Sequence, residues 1–271
     1  MNYRHSFHAG NFADLVKHAL VLWLLKARQA QGAPVAVLDT HAGAGLYDLS
    51  GDATRSREAE AGVERLMAAE GLPPLIAELA AQVSGVNPNG GSRFYPGSPL
   101  LVARNLRPDD RYSGFEISGD VASLLVDSLR RFPNASGRPG DGYKAVVAEA
   151  KTVPAPLVLI DPPFEQPDDY VRAADTTLEI VRADPTATVA IWTPLKDLET
   201  FDGFLRRLAA AGPTLVAEVR LRPLTNPMKM NGCAMVVVNP PAGSDEAAKE
   251  ICDWVSGTLG EAGGNADVWR L

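Results

Sequence analysis

At 271 residues and 46% hydrophobic content the chain can bury a full core, which excludes a disordered protein and suits one large domain or a domain with an insertion. Its net charge of −7 argues against a generic nucleic-acid binder, and Cys233 and Cys252 form no metal pattern and suit a reducing compartment. The longest apolar run near the N-terminus, Ala19–Leu25, is too short to span a bilayer and lacks a signal-peptide pattern, so a soluble, cytoplasmic protein is expected.

The chain opens on an unusual segment, with Tyr3, Arg4, His5, Phe7 and His8 in its first eight residues. All four histidines (His5, His8, His18 and His41) fall within the first 41 positions, and their spacing fits no metal site. Residues 1–33 carry Arg4, Lys17, Lys26 and Arg28 against Asp14 alone, so a basic face on an acidic protein is possible. Asn11 can cap a helix reaching about Gln31, with Gly32 just beyond. Phe12, Leu15, Val16, Ala19, Leu20, Trp23 and Leu24 repeat at helical spacing and mark its buried face, placing His18 at the border of that face.

Pro34–Leu38 reads as the first strand and delivers Asp39-Thr40-His41-Ala42-Gly43-Ala44-Gly45. A small, glycine-rich turn at a strand end lets backbone approach a ligand closely. No Gly-Lys-Ser/Thr follows, so it is not a phosphate loop. Residues 50–93 break the strand rhythm with two helical stretches, 53–69 and 75–83, and are expected to be a helical insertion. Ser98 then suits an N-cap and Pro99 the first position of a helix reaching about Asn105.

Tyr112–Ile117 is the second strand, ending on Glu116, where a ribose diol would be bound. A helix over 119–132, a weak third strand at Arg138–Pro139, Asp141-Gly142 and a short helix over 143–151 follow. The fourth strand, Leu157–Ile160, is a run of Leu, Val, Leu and Ile, as expected of a strand buried on both faces. It runs into Asp161-Pro162-Pro163-Phe164, and two prolines cannot continue a ladder, so the acid sits at the strand's carboxyl end. Helix 168–183, strand 188–192, helix 198–211, a strand pair at 214–221 and 233–239, and helix 247–259 complete the chain. The order implies an α/β fold: a seven-stranded, mostly parallel, doubly wound sheet with an antiparallel last strand. The domain would comprise 1–49 and 94–271, with 50–93 as the insertion.

Asp161–Phe164 reads either as a plain proline turn or as a segment that resembles the Asp-Pro-Pro-aromatic loop of amino-group methyltransferases, which binds an exocyclic amine. The acid and a proline carbonyl accept its N–H groups, and the aromatic ring stacks on the base. With Tyr3-Arg4-His5-Ser6-Phe7-His8-Ala9-Gly10-Asn11, Lys17-His18, Leu38–Gly45, Tyr95-Pro96-Gly97-Ser98-Pro99-Leu100 and Ile160–Phe164 in this order, the sequence resembles the large-subunit (23S) ribosomal RNA adenine(2030)-N6 methyltransferase J family. The resemblance implies a Rossmann-like class I methyltransferase, S-adenosylmethionine as methyl donor and 23S ribosomal RNA as partner, with no metal. It implies cofactor contacts at His18, His41, Ser98, Glu116, Asp141, Gly142 and Asp161, and catalytic roles for Asp161, Pro162 and Phe164. Tyr3 falls on the family's RNA contact, and Arg4, His5 and Lys17 are expected beside it. Phe164 departs from the family's frequent Tyr: the ring can still stack, but any contact of a phenol hydroxyl is lost. We expect a monomer. The rival readings are a DNA adenine-N6 methyltransferase, a protein-amide methyltransferase, whose loop usually begins with Asn, and a non-catalytic RNA-binding protein on the same fold.

Overall fold

Successive side chains of a strand point to opposite sides of a sheet, so an unbroken apolar run needs a core on both. In β6 (Leu157–Ile160), Leu157 and Leu159 join one core cluster and Val158 and Ile160 the other. The same division holds along β1 (Ala36–Asp39), with Val37 on one side and Ala36 and Leu38 on the other. The computed structural model describes residues 9–50, 58–223 and 231–271.

The remaining strands are β2 (Leu46–Asp48), β3 (Phe94–Pro96), β4 (Arg111–Glu116), β5 (Ala135–Pro139), β7 (Thr188–Pro194), β8 (Thr214–Arg220), β9 (Gly232–Val238) and β10 (Asn265–Arg270). Eight of them form one sheet in the order β5-β4-β1-β6-β7-β9-β8-β10. The first five in that order are mutually parallel, β9 runs antiparallel to both β7 and β8, and β10 runs antiparallel to β8. The sheet therefore has eight strands rather than the expected seven. The additional one, β10, lies on the sheet's edge with alternating exposed residues, so it carries no continuous apolar run to announce it.

Nine α-helices are found among the described residues: α1 (Phe12–Gln29), α2 (Arg65–Ala68), α3 (Pro74–Ser84), α4 (Ser98–Ala103), α5 (Gly119–Leu129), α6 (Gly142–Ala150), α7 (Asp169–Ala183), α8 (Leu198–Leu208) and α9 (Ser244–Leu259). A wider π-helical turn, Glu60–Glu64, leads into α2. Helices α1, α3, α5 and α9 contribute to one core cluster, and α6, α7 and α8 to the other, giving three layers. Asn11 caps α1 as its sequence suggests, accepting the Asp14 N–H at 3.0 Å.

Strands β2 and β3 pair antiparallel as a separate ribbon, bringing Asp48 opposite Phe94. Between them, Val63, Leu66, Ile76, Leu79 and Val83 are fully buried in the cluster that also holds α1. Gly62 abuts the start of α1 so closely that a Cβ there would meet the Gly10 carbonyl oxygen, and Val63 N–H donates to that oxygen at 2.8 Å. No helix among the described residues is long and apolar enough to cross a membrane.

Candidate active site

In an open α/β sheet, ligands bind in the crevice beyond the carboxyl ends of the parallel strands. Asp39, the last residue of β1, pairs in register with Gly114 of β4 and Leu159 of β6. Glu116 and Asp161 therefore both lie two residues past that line, one on each side of the central strand. This parallel register brings three acids, distant in sequence, to one rim.

The Asp39 carboxylate is 1% exposed and accepts from Ser98 Oγ at 2.9 Å, Tyr112 OH at 3.0 Å and His41 N at 3.1 Å. Burial pushes its pKa up to about 6, with nearby Asp161 adding to the rise, while the bonds from Ser98, Tyr112 and His41 oppose it. Ser98 is thus not the cap of α4. Gly97 occupies that position, and the Ser98 hydroxyl is drawn away to Asp39. Asp39 and Tyr112 were absent from the expected site. An acid at a strand end was visible in sequence, but nothing local marked Tyr112 as its partner.

Glu116 folds back on the turn. Its Oε2 accepts Gly43 N–H at 3.2 Å and its Oε1 accepts Ser118 N–H at 2.9 Å. The His41 ring packs edge-on against Tyr143, with centroids 4.8 Å apart, and its Nδ1 meets Thr40 Oγ1 at 2.7 Å. Asp141 caps α6 and lies 3.7 Å from the Lys144 ammonium and 3.5 Å from the Arg172 guanidinium. Gly142 is the next residue, and a Cβ there would run into the Thr40 carbonyl oxygen. A glycine is therefore what lets α6 begin against the turn after β1.

Asp161 follows β6, and its Oδ2 receives the Lys17 ammonium at 2.6 Å. Lys17 also lies 2.8 Å from Asp14 Oδ1. Burial alone would lower the Lys17 pKa, but Asp14 and Asp161 together raise it well above its ordinary value, so Lys17 stays charged. Lys17, expected among the residues that contact RNA, is 7% exposed and joins helix α1 to the proline loop. His18 is 2% exposed rather than bordering solvent, with Nδ1 2.8 Å from Tyr95 OH. A buried Lys-His pair on an apolar helix could have signalled an interior polar network, because such groups are seldom buried without partners.

Pro162 is buried, and Phe164 is 7% exposed. The Phe164 ring lies 4.5 Å from that of Tyr170 and 5.9 Å from that of Trp192, centroid to centroid. Its backbone has φ +51°, a left-handed conformation that is rare for a bulky residue and tends to occur at ligand-binding loops. Tyr3, Arg4 and His5 lie outside the described residues. Among the described residues no group of three or more His, Cys, Asp or Glu side chains is placed to hold a metal ion.

Asp39, Glu116, Asp141 and Asp161 thus gather four carboxylates at one rim, each already held by partners within the chain. Comparison with known proteins identifies the family. A family described as "Ribosomal RNA large subunit methyltransferase D, RlmJ" matches residues 32–271. The chain is 32% identical to "Ribosomal RNA large subunit methyltransferase J" of Escherichia coli, over 99% of this chain and 98% of that protein. It is 33% identical to the protein of the same name in Haemophilus influenzae, over 96% of this chain and 94% of that one. The crystal structure of protein LPL1258 from Legionella pneumophila superimposes with a TM-score of 0.88 at 25% identity, covering 97% of this chain and 98% of that one. By these matches the chain belongs to the ribosomal RNA large-subunit methyltransferase J family.

Proposed function

We propose that this protein transfers a methyl group from S-adenosylmethionine to the N6 amino group of one adenine in 23S ribosomal RNA. The observation that carries the reading is Asp161, held at the end of β6 by Lys17 and followed by two prolines and a strained aromatic, beside the acid rim. The names of the two relatives point to large-subunit RNA as the substrate, and a ribosomal RNA substrate implies action in the cytoplasm.

S-adenosylmethionine supplies an electrophilic methyl group on a sulfonium centre. The residues proposed to hold it are His18, His41, Ser98, Glu116, Asp141, Gly142 and Asp161. In this set the Asp39 carboxylate fixes Ser98 and the backbone of His41, and Tyr95 fixes the His18 ring. Glu116 is oriented by backbone N–H groups of the glycine turn and of Ser118. Residues 50–93 are read as an insertion on a methyltransferase domain formed by 1–49 and 94–271.

Adenine N6 is a poor nucleophile because its lone pair is delocalised into the ring. Acceptance of its two N–H groups by the Asp161 carboxylate and the Pro162 carbonyl would localise that pair on nitrogen. Orientation of the amine accounts for much of the catalysis, up to about 7–11 kcal/mol in favourable cases. Asp161 also stabilises positive charge developing on nitrogen. Once the N–C bond has formed, the nitrogen is far more acidic, and Asp161 takes its proton and relays it to water. The target base must leave its stack to reach this rim. The aromatic and basic arm containing Tyr3, Arg4 and His5 is the proposed cover over the flipped base.

The test is transfer of labelled methyl to ribosomal RNA from cells lacking this protein, followed by nucleoside mapping. Label recovered as N6-methyladenosine at one large-subunit position is the expected result. Label on DNA but not RNA would replace this reading with the DNA enzyme, and no label would leave an RNA-binding protein.

A further inference from the structure

Lys17 is shared between two carboxylates, and only one of them has a place in the reaction proposed above. Asp14 Oδ1 lies 2.8 Å from the Lys17 ammonium and Asp161 Oδ2 lies 2.6 Å from it. Asp14 stands three residues before Lys17, so both rise from the same side of α1. The other Asp14 oxygen accepts Gly10 N–H at 2.9 Å, and Asp14 N–H donates to Asn11 Oδ1 at 3.0 Å. These two bonds form a variant of a reciprocal helix cap and fix the carboxylate's direction.

We propose that Asp14 is a positioning residue for methyl transfer: it is the second acceptor that lets the Lys17 ammonium withdraw from Asp161 when the target amine arrives. This rests on the adenine reading above. An adenine N–H and the Lys17 ammonium compete for lone pairs on the same carboxylate, and Lys17 holds Oδ2 at 2.6 Å. A cation at that distance also opposes the positive charge that builds on N6 during transfer. Lys17 cannot simply let go, because a buried ammonium without a counter-charge is strongly disfavoured. With Asp14 already in contact, withdrawal needs only a small shift along a pair that is never broken. The raised pKa of Lys17, which both carboxylates produce against the effect of burial, agrees with a protonated ammonium held between them.

The alternative is that Asp14 does no more than cap α1. Asp14→Asn and Asp14→Ser separate the two roles, since each keeps an acceptor for Gly10 N–H but removes the charge facing Lys17. Wild type, both neutral variants and Asp14→Glu are compared for kcat and KM on ribosomal RNA, S-adenosylmethionine affinity by calorimetry, and melting temperature. The proposal expects kcat to fall about tenfold or more in whichever neutral variant folds, with cofactor affinity within about threefold and partial recovery in Asp14→Glu. Wild-type kcat in a folded neutral variant overturns it. A loss shared equally by kcat, cofactor affinity and melting temperature, with no recovery in Asp14→Glu, also overturns it, as does failure of both neutral variants to fold. Absence of adenine methylation by wild type is a different result: it removes the reading of function itself, and this proposal with it.

Discussion

Lys17 Nζ and Asp161 Oδ2 are 2.6 Å apart although 144 positions separate the two residues in the chain. The contact ties the first helix to the loop after β6 and gives Asp161 a charged partner. It follows that Asp161→Ala removes both the proposed acceptor for the target amine and one of the two counter-charges of Lys17. We expect methyl transfer to fall by at least about 10²–10³-fold, the usual cost of losing a group that stabilises transition-state charge. Cofactor affinity should be weakened at most. Radiolabelled transfer with calorimetric titration checks both, and near-normal turnover would refute the role.

Asp39 gives a pH signature. Its folded-state pKa, pushed from 3.8 to about 6 mainly by burial, means that the folded protein holds this proton at higher pH than the unfolded chain does. Stability from this group is therefore greatest at low pH and declines as pH rises from about 4 to about 6. Asp39→Asn should flatten that decline and raise stability at pH 7 by up to about 3 kcal/mol, less whatever the three bonds lose. Urea unfolding between pH 4 and 8 reads this directly. An unchanged slope in the variant would assign the decline to another group.

Phe164 packs against Tyr170 and Trp192 while its backbone sits at φ +51°. Phe164→Ala should cost about 3–5 kcal/mol of stability through lost packing. It should also reduce kcat/KM on RNA, because the loop that carries Asp161 loses its anchor. Phe164→Tyr keeps the ring and should retain turnover near that of wild type. Thermal melts and steady-state kinetics on the two variants test the pair, and an active, stable Phe164→Ala would contradict it.

Removal of residues 1–8 should abolish RNA methylation and leave the melting temperature close to that of the whole chain. Ala9 and Gly10 are kept because Ala9 is buried and Gly10 N–H donates to Asp14. Normal methylation by the shortened protein would exclude the arm as a cover over the base.

Much of the fold was legible locally. Leu157–Ile160 announced a strand buried on both faces because four apolar residues in a row leave no solvent side, and the prolines after Asp161 fixed where it ends. Asn11 announced the start of α1 because an unpaired helix N–H needs an acceptor. Ser98 misled: it has good capping chemistry, but a buried carboxylate competed for its hydroxyl and prevailed. Strand β10 was missed because an edge strand needs only one apolar face.

The sequence by itself determined which groups stand at the strand ends: an acid at the end of each of three strands, a glycine turn, and a proline loop with an aromatic. Strand ends and turns are written in nearest-neighbour chemistry, so they can be read without coordinates. What only the tertiary structure decided is which of these groups meet. That Lys17 is buried between Asp14 and Asp161, and that Asp39 gathers Ser98, Tyr112 and His41, follows from the order and register of parallel strands and from a helix laid against them. Contacts of that kind depend on packing over the whole sheet, and no local stretch of the chain encodes them.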